Sequence, residues 1–262
     1  MGLINKVRNR AQQAYLSQLS LGQLRSKLAA KRGVITLCYH ALDQSLTDYP
    51  YRTSAAALEE HLRFLMTFCD ILPAHEAIAL LRAGGLRQRS RPVAVITFDD
   101  GYMCNWTQAT PVLEALQIPA MLFAPKDLIM QEGDTYVSSV ILKKMHAHPL
   151  WTVGPHGVTH NVLTGFLQAG MVKELIESRR WLDDLLGEMP LGFAYPQGQL
   201  SPAIVAEAAK HYQFGFATDT RTGSTFDPLQ IRRYCPQASD DPLKSFAKAL
   251  LGAPWETGKE IS

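Results

Sequence analysis

No apolar run in these 262 residues reaches the roughly 18 positions that a membrane-spanning helix requires. No apolar segment follows the basic start MGLINKVRNR, so no secretory signal is read and a cytoplasmic location is expected. Lys6 stands where a myristoylation signal wants Ser or Thr. The four cysteines, Cys38, Cys69, Cys104 and Cys235, form no C-x-x-C pair, which excludes a zinc ribbon or a redox motif and leaves free, mostly buried thiols as the expectation. Internal repeats, low-complexity tracts and linkers are missing as well, and a chain of this length accommodates one large domain.

Acid is absent from residues 1–32, which hold Lys6, Arg8, Arg10, Arg25, Lys27, Lys31 and Arg32. The net charge of +2 is therefore +7 in this stretch and −5 in the remainder. Leucines at 16, 19, 21, 24 and 28 recur there at helical spacing. A basic amphipathic helix of this kind can lie on an anionic membrane, at the inner face of the cell membrane, or dock a partner, and a terminal helix packed on its own domain stands equal to these readings. The stretch lacks interleaved base-stacking aromatics and is confined to one helix, so nucleic-acid binding is not expected. Residues 1–32 are read as a helical appendage and 33–262 as the catalytic domain.

What is present from Gly33 onward is alternation. β-rich runs occur at VITLCYH (34–40), ILP (71–73), PVAVITFDDGY (92–102), PAMLFAP (119–125), LWTVGPH (150–156), LGFAYP (191–196), FGFATD (214–219) and IRRYCP (231–236). The fifth run is expected to break at Gly154-Pro155. Helical patterns fall between them at 51–69, 74–83, 107–116, 138–146, 171–186, 202–212 and 241–251. Short connections between alternating strands and helices predict an α/β fold of parallel βα units. In such barrels functional groups sit at the C-terminal ends of strands. His40, Asp99, Asp100, His156 and Tyr195 fall there.

Two motifs carry chemistry. TFDDG ends an apolar strand in two adjacent carboxylates, which repel and lose hydration unless a cation neutralises them; a solvated Asp-Gly turn is the plain alternative. HGVTH places His156 and His160 four residues apart, a recurrent metal-binding spacing. No Glu lies between them, so a base and a third ligand must come from elsewhere, and the aspartate pair supplies both. Two histidines and one carboxylate leave coordination positions open for water and substrate, the composition of a catalytic site. The second carboxylate is free to act as base.

TFDDG followed by H-x3-H about 55 residues later, both at strand ends, resembles the polysaccharide deacetylase family (carbohydrate esterase family 4, the nodulation-type deacetylase domain) across roughly residues 33–236. The resemblance implies a distorted (β/α)7 barrel. By motif it implies Asp99 as general base and Asp100, His156 and His160 as ligands of a divalent metal, zinc first, with cobalt, nickel or manganese as alternatives. Several positions depart from the family's pattern. Gly157 stands where a loop-bracing Ser or Thr is usual. The third motif, usually Arg-x-Pro-aromatic-Gly, reads Ala194-Tyr195-Pro196-Gln197-Gly198, so the arginine that orients the base is missing. Arg233 is the candidate replacement and Arg232 its rival. The Gln197 backbone N–H is expected to keep the oxyanion role, with Tyr195 beside it. The family's late acid histidine is missing too, since no His follows His211. His40 is the substitute, as in a permuted branch that acts on poly-N-acetylglucosamine. Asp219 is expected to pair with an arginine or meet substrate. The remaining histidines, His61, His75, His146, His148 and His211, read as helix or loop surface.

The expected activity is removal of an acetyl group from an N-acetylated sugar in a glycan or a glycan-biosynthesis intermediate. The rivals are a deformylase or other amidohydrolase, an Fe(II) oxygenase, whose usual ligand order is not seen here, and an inactive carbohydrate-binding member.

Overall fold

VITLCY (β1, Val34–Tyr39) and VAVITF (β3, Val93–Phe98) are buried along their whole length. Strands buried on both faces read as continuous apolar runs, and such strands pair in parallel beneath helices. The two lie side by side in register, from Val34 opposite Val93 to Tyr39 opposite Phe98. The computed structural model describes residues 15–42, 45, 49–218 and 226–258. Among these, β2 (Asp70–Ile71), β4 (Ala120–Ala124), β5 (Trp151–Pro155), β6 (Gly192–Ala194), β7 (Phe214–Ala217), β8 (Ile231–Tyr234) and β9 (Trp255–Glu256) complete the sheet.

Seven strands follow one path, β5-β4-β3-β1-β8-β7-β6, and every pairing along it that is described by register is parallel. The path curls into a barrel with helices outside, the distorted (β/α)7 expectation. It is not quite closed. β5 and β6 are neighbours across the seam but share no ladder among the described residues. β5 continues through Gly154 and Pro155, where a break was expected. As an edge strand it can carry a proline whose missing N–H leaves no ladder bond unmade. β9 was not foreseen; its two residues lie antiparallel on the start of β1.

Helices begin where the sequence offers caps. Ser54 accepts from the Ala57 N–H at 3.0 Å to start Ala55–Met66, and Ser20 and Gln23 form a reciprocal capping box at Leu21–Ala29. The helix with Pro111 starts at Thr110, after a π-helical turn over Asn105–Ala109. Such turns collect at functional sites, and this one sets the Asn105 amide 2.7 Å from the His40 carbonyl. The helix at 202 ends at Ala208 rather than at Tyr212.

The leucines of the basic N-terminal stretch are part of the main core. Leu24 and Leu28 are fully buried, Leu16 and Leu19 nearly so, in one cluster with Phe246 and Leu250 of the helix Leu243–Gly252. Of the readings of that helix, packing on its own domain is observed for Leu16, Leu19, Leu24 and Leu28. Lys6, Arg8 and Arg10 lie outside the described residues.

One histidine departs from the surface reading. His61 is fully buried, stacked on Phe246 at 3.8 Å, with Nε2 3.0 Å from the Asp240 carbonyl. It lies one helical turn from both Leu58 and Leu65, on the face they bury with Leu62, and is carried into the core with them.

Candidate active site

A cavity of about 1180 Å³ opens at the C-terminal ends of the barrel strands. His40 follows β1, Asp99 and Asp100 follow β3, His156 follows β5, Gln197 follows β6 and Arg233 lies within β8, and all of them line it with His160. Backbone geometry marks the same place. Of the four non-glycine residues with positive φ among the described residues, Asp100 (69°), His160 (61°) and Gln197 (54°) are here; the fourth, Gln117, ends a helix. Such conformations persist only where the surroundings impose them, and they gather at functional sites.

Arg233 grips Asp99 with both arms of its guanidinium, Nη1 donating to Oδ1 at 2.7 Å and Nη2 to Oδ2 at 2.6 Å. Both residues are buried. A third bond runs to Thr97 Oγ1 at 3.1 Å, and the rings of Phe123 and Phe216 flank the guanidinium. Burial raises the carboxyl pKa of Asp99, but Arg233, His156 and His40 outweigh it and hold it well below the usual carboxylate range. Arg232 is the neighbour on the other face of the strand, and its Nε donates to Glu256 at 2.8 Å. The alternation of side chains along β8 thus separates the two arginines that the sequence left as rivals.

Asp100, His156 and His160 bring one ligand atom each within 4.8 Å of one another. Nε2 of His160 lies 3.0 Å and Nε2 of His156 3.8 Å from Asp100 Oδ1. His156 Nδ1 lies 2.7 Å from the Ala194 carbonyl, a bond it can make only as donor, which leaves the Nε2 lone pair facing the carboxylates. This bond also spans the β5–β6 seam. Burial and the neighbouring His160 hold the His156 pKa down, to about 4 despite Asp99 and Asp100, so its neutral, ligating form prevails. Asp100 Oδ1 is buried and receives no hydrogen bond of good geometry. Two imidazole nitrogens and one carboxylate oxygen, converging with solvent-side positions open, fit a divalent cation of catalytic type.

Glu174 braces this loop, and sequence reasoning missed it. Its buried carboxylate, on the helix Gln168–Leu186, accepts from the N–H groups of Val158 (2.7 Å) and Thr159 (3.1 Å) and from the Thr159 hydroxyl (2.8 Å). Gly157, at φ 81°, makes room for it: a Cβ there would sit 3.0 Å from Glu174 Oε2. The missing Ser or Thr and the buried glutamate are two halves of one arrangement. The only signal in the sequence was an acid on the apolar face of a periodic helix.

His40 sits beneath Tyr51, ring centroids 5.4 Å apart, with Tyr49 edge-on at 6.0 Å. Tyr102 and Tyr136 extend this aromatic wall. Burial opposes the imidazolium of His40, but Cys38, Asp100 and Asp99 push its pKa up to about 9. Gln197 is exposed at the cavity edge, and Gly198 beside it must be glycine, since a Cβ would overlap Thr218. Tyr195 is corrected: it is fully buried, and its hydroxyl donates to the Leu229 carbonyl at 2.9 Å. It follows β6 on the face opposite the cavity and belongs to the core with Phe193. Asp219 lies outside the described residues.

The sequence profile of the polysaccharide deacetylase family matches residues 87–215. YxkH of Bacillus subtilis (strain 168) is 24% identical over 191 residues, 72% of this chain, and this chain spans 65% of that relative's length. Two solved structures share the fold. Streptococcus pyogenes deacetylase PplD, in complex with acetate, superposes with a TM-score of 0.70 at 18% identity, covering 84% of this chain and 97% of that one. IcaB from Ammonifex degensii superposes with a TM-score of 0.70 at 23% identity, covering 83% and 98%. By its sequence profile, with the barrel in agreement, this chain belongs to the polysaccharide deacetylase family.

Proposed function

We propose that this protein is a metal-dependent hydrolase that removes the acetyl group from the amide nitrogen of an N-acetylated sugar, in a glycan or a glycan-biosynthesis intermediate. The observation that carries the reading is the juxtaposition of two devices. A carboxylate locked by a buried arginine stands 3.5 Å from His156, in the same cavity as the Asp100–His156–His160 cluster. Membership of the family supports hydrolysis of a C–N bond.

Asp100, His156 and His160 would hold the cation, with zinc proposed. When bound it supplies a water of lowered pKa and polarises the acyl oxygen. Asp99, kept ionised by Arg233, accepts the proton of the attacking water on a carboxylate oxygen. The Gln197 backbone N–H is assigned to the developing oxyanion. His40 is assigned to give its proton to the departing amine nitrogen, with the Asp100 and Asp99 carboxylates beside it favouring its charged form. The wall of Tyr49, Tyr51 and Tyr102 suits the apolar face of a pyranose ring.

The test is acetate release from a panel of free N-acetylated oligosaccharides, nucleotide sugars and lipid-linked intermediates, with and without chelator and added zinc. Chelator-sensitive release from one class is expected. Asp99→Asn should lower kcat by about 10²–10⁴-fold while metal content stays unchanged. Retained turnover in that variant would sink the base assignment, and no release from any substrate by the metal-loaded protein would sink the substrate class.

A further inference from the structure

One hydrogen bond behind His40 plays no part in the chemistry above. β1 ends at Tyr39, so the His40 carbonyl lies beyond the ladder with β3 and needs another donor. The Asn105 amide supplies it, Nδ2 donating at 2.7 Å. Two further bonds hold the same segment. The Leu42 N–H donates to Cys104 Sγ at 3.1 Å, and the Thr53 N–H donates to the Ala41 carbonyl at 2.9 Å. Cys104 and Asn105, just after the TFDDG motif, thus clamp residues 40–42 from one turn of chain. Asn105 is fully buried and its backbone is fixed. Its N–H donates to the Tyr102 carbonyl at 2.9 Å, and its carbonyl accepts from the Thr110 N–H across the π-helical turn. The Thr110 hydroxyl accepts from the Trp151 indole at 3.1 Å, which ties the turn to the start of β5. By contrast, Asn105 Oδ1 is buried with no donor among the described residues. A half-satisfied buried amide costs stability, and such an exception calls for a reason other than packing.

We propose that Asn105 is a positioning residue for the acid His40: its amide fixes the His40 peptide at the strand end and so holds the imidazole where the amine nitrogen departs. The allowed directions of a side chain depend on its backbone angles. The bond from the Asp99 N–H to the Tyr39 carbonyl stops one residue short of His40, and the Asn105 bond adds a fixed point on His40 itself. The ring is then confined between that peptide and Tyr51, whose ring centroid lies 5.4 Å away. Without the donor, the peptide after His40 turns to find another partner and carries the ring with it. Asn105 touches no reacting atom. The chain that presents Asp99 and Asp100 thereby also anchors the acid that must act on the same amide. Misplacing a catalytic group by about 1 Å can cost about 10²-fold in rate. The loss of rate rests on the acid role proposed for His40 above; the fixing of its ring does not.

Two measurements on the full-length, zinc-loaded protein test this. The first compares kcat for acetate release in Asn105→Ala, His40→Ala and the double variant. Asn105→Ala should lower kcat by about 10²-fold with KM and zinc content unchanged. It should cost little more in a protein that already lacks His40, because the two substitutions remove one function. An equal loss in both backgrounds would overturn the proposal, and so would a loss of zinc from Asn105→Ala, since either makes Asn105 a structural support. Asn105→Leu fills a similar volume without a donor and replaces the alanine variant if that one does not fold; native kcat in it would contradict the proposal. The second measurement reads His40 without turnover, by nuclear magnetic resonance of protein carrying isotope-labelled histidine. The His40 ring signals, assigned by their absence in His40→Ala, should shift and broaden in Asn105→Ala, while those of His61 in the core stay in place. Unmoved His40 signals would sink the proposal even if no sugar is deacetylated. Absence of acetate release from the native protein, with His40 signals that move in Asn105→Ala, would instead count against the proposed activity alone.

Discussion

At the scale of single residues, the pair Asp99–Arg233 decides how the site works. A buried carboxylate must be paired or protonated, and the guanidinium's planar fork meets both oxygens at once. Replacing Arg233 by Gln should therefore move the acid limb of the pH–rate profile upward, because Asp99 then binds a proton at higher pH. It should also lower stability by about 3–5 kcal/mol, the usual cost of breaking a buried pair. Arg233→Lys keeps the charge and loses the fork, so its acid limb should fall between the two. A profile unchanged in Arg233→Gln would remove the arginine from its proposed role. The roles of Asp99, Asp100, His156 and His160 could be proposed from their motifs, because strand-end carboxylates and an H-x3-H turn are local patterns. The choice of Arg233 over Arg232 was not legible, since it depends on which face of β8 looks into the barrel.

At the scale of elements, two helices do work that their apolar patterns conceal. The helix Gln168–Leu186 holds the metal-ligand loop through Glu174. Glu174→Gln weakens the bonds to two backbone N–H groups and should reduce metal affinity by about 10–100-fold, measured by competition with a chelator. A fold that survives with native metal affinity would make Glu174 a mere core residue. The helix Ala55–Met66 buries His61, whose pKa falls to about 4 from an ordinary value of 6.5. The neutral form is thus favoured in the folded state. Its stabilisation is complete above pH 6.5 and is lost as the unfolded chain takes up a proton between pH 6.5 and about 4. Over that window the native protein should lose about 3 kcal/mol relative to His61→Gln, read from urea midpoints at several pH values. A parallel pH dependence in the two proteins would contradict this.

At the scale of the whole molecule, the seam between β5 and β6 and the N-terminal helix show what holds the barrel together. No ladder joins the two strands among the described residues, yet His156 Nδ1 bonds the Ala194 carbonyl across the gap, so a proposed metal ligand is also a closure point. The helix Leu21–Ala29 is integral to the main core through Leu24 and Leu28. Leu28→Ala should cost about 2–5 kcal/mol, as buried leucine truncations do. Arg25→Ala, on the exposed side of the same helix, should change stability by less than about 0.5 kcal/mol. Similar denaturation midpoints for Leu28→Ala and the native protein would restore the picture of a detachable appendage.

The sequence by itself determined the alternation of strands and helices, the placement of polar residues at strand ends and the carboxylate and histidine motifs, because each is a property of a few neighbouring positions. Only the tertiary structure decided which arginine meets Asp99, 134 positions away. The same holds for the carboxylate that braces HGVTH and for the burial of His61 and Tyr195. The meeting of Arg233 with Asp99 follows from β1 lying between β3 and β8 and from the register of their parallel pairing. Strand order and register arise from packing summed over the whole barrel, and no local stretch of sequence encodes them.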